Sequence, residues 1–130
     1  MSGRQRAALS LTVLGCVVLL VGAVLHLIAG YPLVVAGTNA SSLAPDLQSA
    51  FRTVFLLVGW DWIVTGILVL AASFSTAKLG KAIVLICGLS LLGHGTIMVR
   101  FLGWFAGTDM IFTAGLLIFC GGALFQPASG

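Results

Sequence analysis

Residues 53–74, Thr-Val-Phe-Leu-Leu-Val-Gly-Trp-Asp-Trp-Ile-Val-Thr-Gly-Ile-Leu-Val-Leu-Ala-Ala-Ser-Phe, decide the fold. The stretch is long enough to cross the hydrocarbon core of a bilayer as a helix, and Asp61 is its one charged residue. Three more runs have the same character: residues 7–29, 82–99 and about 108–125. The whole chain agrees. It is 60% hydrophobic and 7% charged, with a mean hydropathy of +1.21, whereas soluble domains carry about a quarter of their residues as charges. Backbone groups in lipid must bond within their own segment, so each run is read as a helix. The expected fold is all-α: a single integral membrane domain, an antiparallel four-helix bundle.

The first run begins behind Arg4 and Arg6, and Val13-Leu-Gly-Cys16 has a loose likeness to a lipoprotein cleavage box. The apolar run continues well past Cys16, too far for a signal peptide, so a retained span is expected. Arg4, Arg6, Lys78 and Lys81 fall at one end of the bundle and Arg52 and Arg100 at the other. The positive-inside rule then places both termini in the cytoplasm, in a multi-pass protein of a bacterial inner membrane or a plasma membrane. With six basic and three acidic residues, no nucleic-acid patch is available. Cys16, Cys87 and Cys120 are far apart in apolar runs and read as small hydrophobes, with no disulfide or zinc pattern.

Tight connections make the second and third spans, and the third and fourth, antiparallel neighbours. The one long connection, 30–44, is expected as an outer loop, opened by Gly30-Tyr31-Pro32 and carrying an Asn39-Ala-Ser41 glycosylation triplet. Pro45 and Asp46 suit the first turn of an extension to the second span. Each span also holds two glycines seven residues apart: Gly15/Gly22, Gly59/Gly66, Gly88/Gly95 and Gly115/Gly122. Small residues at that spacing suit close, left-handed helix contacts.

An ionisable residue inside a span is costly and marks a candidate site. His26, Asp61 and His94 all fall in the outer half of the bilayer by this topology, with His94 about 9 Å below Arg100. The expectation is one outward-opening polar pocket. Asp61 and His94 come from neighbouring helices and are the candidate acid–base pair. His26, Trp60, Trp62, Thr65 and Arg100 are the candidate ligand contacts, and Thr96 is a further hydroxyl near His94. The plain alternatives are that an Asp61–His94 hydrogen bond only fastens two helices, worth about 0.6 kcal/mol, and that Arg100 and Asp109 form a salt link across the outer hairpin.

Three functions fit this pattern. The first is a protein that binds a membrane lipid or another apolar small molecule, with cofactor-independent isomerase, hydrolase or cyclase chemistry on a lipid or isoprenoid. The second is a non-catalytic membrane subunit or scaffold. The third is a haem protein ligated by His26 and His94. Asp61 lies about 200° around its helix from Gly59. If Asp61 faces the bundle centre, the Gly59/Gly66 stripe faces lipid or a second protomer, which makes a homo-oligomer through that face an expectation.

Overall fold

The structure, a computed structural model, describes residues 2–75 and 78–125. Those residues are helical almost throughout, and four helices are long and apolar enough to cross a membrane. α1 (Gly3–Leu25) passes through one π-helical stretch, His26–Gly30, into α2 (Tyr31–Asn39). α3 (Pro45–Ser73), α4 (Lys78–Leu102) and α5 (Ala106–Leu124) complete the chain. It is a multi-pass, all-α integral membrane protein.

The reading of 30–44 as an outer loop is corrected over most of its length. Gly30-Tyr31-Pro32 does not end the first helix. A proline in a helix lacks the N–H that should reach back one turn, and its ring crowds the carbonyl there. The π-helical stretch comes just before Pro32, and the Tyr31 N–H reaches five residues back to the His26 carbonyl. That wider turn changes the register at the point where the proline enters. The helix then runs on to Asn39, 37 residues from Gly3, about 55 Å. Only 40–44 make the reversal. Ser41 Oγ donates to the Thr38 carbonyl (2.7 Å) and Gln48 Nε2 to the Leu43 carbonyl (2.9 Å).

Arg52 ties this projecting hairpin together. Its Nε donates to Thr38 Oγ1 (2.8 Å), and one terminal nitrogen donates to Asn39 Oδ1 (2.6 Å) and Gln48 Oε1 (3.3 Å). The guanidinium thus sits at the carbonyl end of α2, where a cation is favoured. Pro45 and Asp46 occupy the first turn of α3, as the sequence predicts. Gly103, with φ of +78°, closes α4, its N–H bonded to the Val99 carbonyl. At the start of α5, Thr108 Oγ1 accepts from the Phe105 N–H (2.9 Å) and donates to the Phe105 carbonyl (2.7 Å).

Around the bundle the order is α3, α1, α5, α4. The α1–α5 and α5–α4 contacts are extensive, α1–α3 is intermediate, and α3–α4 is the loosest of the four sides. Glycines explain the difference. All eight of the heptad-spaced glycines are buried. A Cβ on Gly15 of α1 would stand 3.0 Å from the Ala114 carbonyl oxygen. One on Gly88 of α4 would stand 2.6 Å from the Phe119 nitrogen, and one on Gly115 of α5 3.0 Å from the Leu92 nitrogen. Those are backbone-to-backbone approaches, available only to glycine. Between α3 and α4 the comparable approach is at the turn, where a Cβ on Gly80 would stand 2.7 Å from the Ala72 carbonyl oxygen. Above that level no glycine of either helix meets the other.

The contact of Gly80 with Ala72 also sets a common depth. Arg52 on α3 and Arg100 on α4 each stand about 30 Å above it at 1.5 Å per residue. Lys78 and Lys81 lie at its level. The interval matches the hydrocarbon thickness of a bilayer, about 30 Å.

Candidate functional site

Between α3 and α4, above their turn, runs a groove of about 720 Å³. From α3 it is lined by Leu57, Asp61, Trp62 and Thr65, and from α4 by Ile86, Cys87, Ser90, His94 and Ile97, with Ile111 of α5 behind. Positions 61 and 65 are one turn apart on α3. Positions 87, 90 and 94 repeat at three and four on α4. Each helix therefore presents one polar stripe to the same groove. Counted from the Ala72–Gly80 level, Asp61 stands about 17 Å and His94 about 21 Å up, inside the slab of about 30 Å between the basic ends.

Asp61 and His94 share the groove but do not pair. Both are exposed, and neither makes a hydrogen bond or ion pair with any described residue. A carboxylate near a helix centre costs about 2.5–3.5 kcal/mol to insert, so its open valences matter. Thr65 and Ser90 stand beside them with hydroxyls that both donate and accept.

The other predicted residues are placed elsewhere. Trp62 is the inner wall of the groove, 2% exposed. His26 lies behind it, outside the groove. Its ring stacks on Phe55 (centroids 3.7 Å apart, planes at 12°) and tilts against Trp62 at 4.9 Å. Nε2 is 2.9 Å from the Phe55 carbonyl oxygen. A carbonyl only accepts, so Nε2 carries a proton and donates it to this bond. Trp60 is 62% exposed on the outside of α3. Arg100 lies over the Phe101 ring, 5.8 Å from its centroid, and forms no ion pair with Asp109. Thr96 bonds back to the Leu92 carbonyl within its own helix.

Gly59 shows why α3 is turned this way. A Cβ there would stand 2.6 Å from Leu27 Cδ2 and 3.0 Å from His26 Cδ2. A Cβ on Gly66 would stand 3.1 Å from Leu20 Cδ2. The Gly59/Gly66 stripe is therefore covered by the first helix within the same chain. The alternative posed by the sequence falls the other way: the glycines face inward, and Asp61 faces the groove at the flank. That flank is open, whereas the glycine stripe is covered.

Cys87, Ser90 and Phe55 belong to this region and the sequence reading passed over them. Ser90 is one turn before His94, a spacing that flags it once His94 is taken as a site. Cys87 reads as one more apolar residue. The Phe55 carbonyl has no sequence signature at all. His26 and His94 stand on diagonal helices with Trp62 between His26 and the groove, so they do not face one another as two axial ligands would. No family model, curated protein or solved structure matches the chain.

Proposed function

We propose that this protein binds an apolar molecule bearing one small polar group, of the lipid or isoprenoid alcohol class, in the α3–α4 groove. The observation that carries the reading is the exposed, unpaired Asp61 and His94 in one groove of about 720 Å³ at mid-span. That volume is within the range of small-molecule sites, roughly 300–1,000 Å³. The walls are largely apolar, and Asp61 and His94 stand within about one helical turn of each other in depth. A hydroxyl is the simplest complement, donating to Asp61 while accepting from His94.

The same two groups are a general acid and a general base. Delivery of a proton to a double bond by one of the two groups and removal of another by its neighbour moves that bond with no co-reactant, and proton exchange with water restores the pair, so isomerisation is the reaction proposed. Entry is sideways, from the bilayer, because the groove lies on a flank. The charge pattern supports a cytoplasmic Lys78/Lys81 end, in a bacterial inner membrane or a plasma membrane.

The test is lipid retention. Wild type, Asp61→Asn, His94→Ala and Trp60→Ala are purified in mild detergent, and bound lipid is quantified by mass spectrometry. Asp61→Asn and His94→Ala are expected to lose at least tenfold of the retained species while keeping helical content and monodispersity. Trp60→Ala, outside the groove, is expected to retain it. Equal retention by all four variants overturns the proposal.

A further inference from the structure

The groove is open along the flank of the bundle, and two needs go unmet there. Asp61 and His94 make no hydrogen bond or ion pair with any described residue, and hydrocarbon chains offer neither a donor nor an acceptor. A small-molecule site also buries most of its ligand, which an open flank cannot do. We propose that a second copy of this chain closes the groove. The two α3–α4 flanks face each other across a twofold axis along the membrane normal. Asp61 of one copy and His94 of the other then serve the same site. The proposal rests on the reading of the groove as a binding site and adds its missing wall.

Three observations favour a second copy over another occupant. First, copies inserted in the same orientation are related by an axis along the normal. Such an axis preserves depth and exchanges left and right, so α3 of one copy faces α4 of the other. Asp61 and His94 differ in depth by about one helical turn, which brings each within side-chain reach of its counterpart. Second, a twofold interface must be complementary to itself. This flank carries one acid and one base that leave each other unpaired, with the hydroxyls of Thr65 and Ser90 beside them. Third, glycines pack at the α1–α3, α1–α5 and α4–α5 contacts, and the other imidazole of the chain, His26, is already bonded to the Phe55 carbonyl.

Complementation reads the shared site directly. Neither Asp61→Asn nor His94→Ala is expected to retain geranylgeraniol added to nanodiscs. Co-expressed, they form mixed dimers in which one of the two sites has both groups intact. Random pairing then restores about one quarter of wild-type retention. A site contained within one chain gives no recovery, and that result overturns the inference.

Native mass spectrometry of the wild type from nanodiscs supplies the second readout. Dimers carrying the alcohol support both readings. Monomers carrying it overturn the dimer and leave the binding function standing. Dimers without it overturn the binding function, and the dimer then rests on crosslinking. On a background lacking Cys16, Cys87 and Cys120, oxidation in membranes is expected to link Ser90→Cys and to leave Leu116→Cys, exposed on α5, unlinked. Equal linkage at both positions overturns the proposed face.

Discussion

His26 is held by three contacts from two neighbours, and the hydrogen bond can be removed without the ring contacts. The Phe55 carbonyl accepts a hydrogen bond from its Nε2–H, the Phe55 ring stacks on it, and Trp62 tilts against it. His26→Phe keeps an aromatic ring and loses the hydrogen bond. Its expected cost is about 0.6 kcal/mol, the average for a polar contact between membrane helices. His26→Ala loses the ring contacts as well, worth about 0.5–1.5 kcal/mol each beyond the area buried. Unfolding in mixed micelles measures both variants, and the order wild type, Phe, Ala is the expected ranking. A histidine whose role were purely to bind ligand would leave that ranking flat. Asp61 presents the opposite case: it makes no hydrogen bond or ion pair with any described residue, so Asp61→Asn is expected to leave unfolding free energy unchanged or slightly raised. The two residues look alike as ionisable groups in a span, and the structure separates them into one bonded to its neighbours and one with no hydrogen bond or ion pair to a described residue.

α4 carries its own internal control at the scale of the helix. Gly88 and Gly93 sit in the same apolar segment. A Cβ at Gly88 meets the backbone of Phe119 at 2.6 Å, whereas at Gly93 nothing lies within 4 Å. Gly88→Ala is expected to cost about 1–3 kcal/mol through overpacking against a backbone that cannot rotate away. Gly93→Ala is expected to be neutral or stabilising by up to about 1 kcal/mol, since alanine is the better helix former. The same micelle unfolding measurement reads both, and equal effects at the two positions contradict the packing described for α4 and α5. The π-helical stretch before Pro32 is a second device of this kind. It lets one helix continue through a proline and brings His26 against α3 on the way. The sequence displays the proline clearly, but a change in hydrogen-bond register leaves no mark on hydropathy.

The bundle as a whole has one loose side, and its vertical placement is fixed by charge. Arg52 and Arg100 at one end and Lys78 and Lys81 at the other bracket about 30 Å with no Lys, Arg or Glu between, and with Asp61 as the single acid. Impermeant maleimide applied to cells checks the orientation. Leu79→Cys is expected to react only after lysis, and Ser42→Cys on intact cells; the reverse pattern inverts the topology. With the Lys78/Lys81 end inside, the groove lies from mid-membrane toward the opposite surface, beneath the projecting α2–α3 hairpin.

The sequence by itself determined four spans, their antiparallel order and the depth of each polar residue. Those follow from run length, rise per residue and the placement of Lys and Arg, all of them one-dimensional quantities. It also showed the eight buried glycines as heptad pairs, because contact spacing along a helix is written in the chain. Rotation of each helix about its own axis was decided only by the tertiary structure. A span that is apolar all round has no amphipathic stripe to announce its inward face. Gly59 and Asp61 lie on opposite sides of α3, and either can face the centre until His26 and Leu27 of the first helix claim the glycine side. That packing choice turns Asp61 to the flank. It sets Trp62 between His26 and the groove, and it leaves Asp61 and His94 together but unpaired.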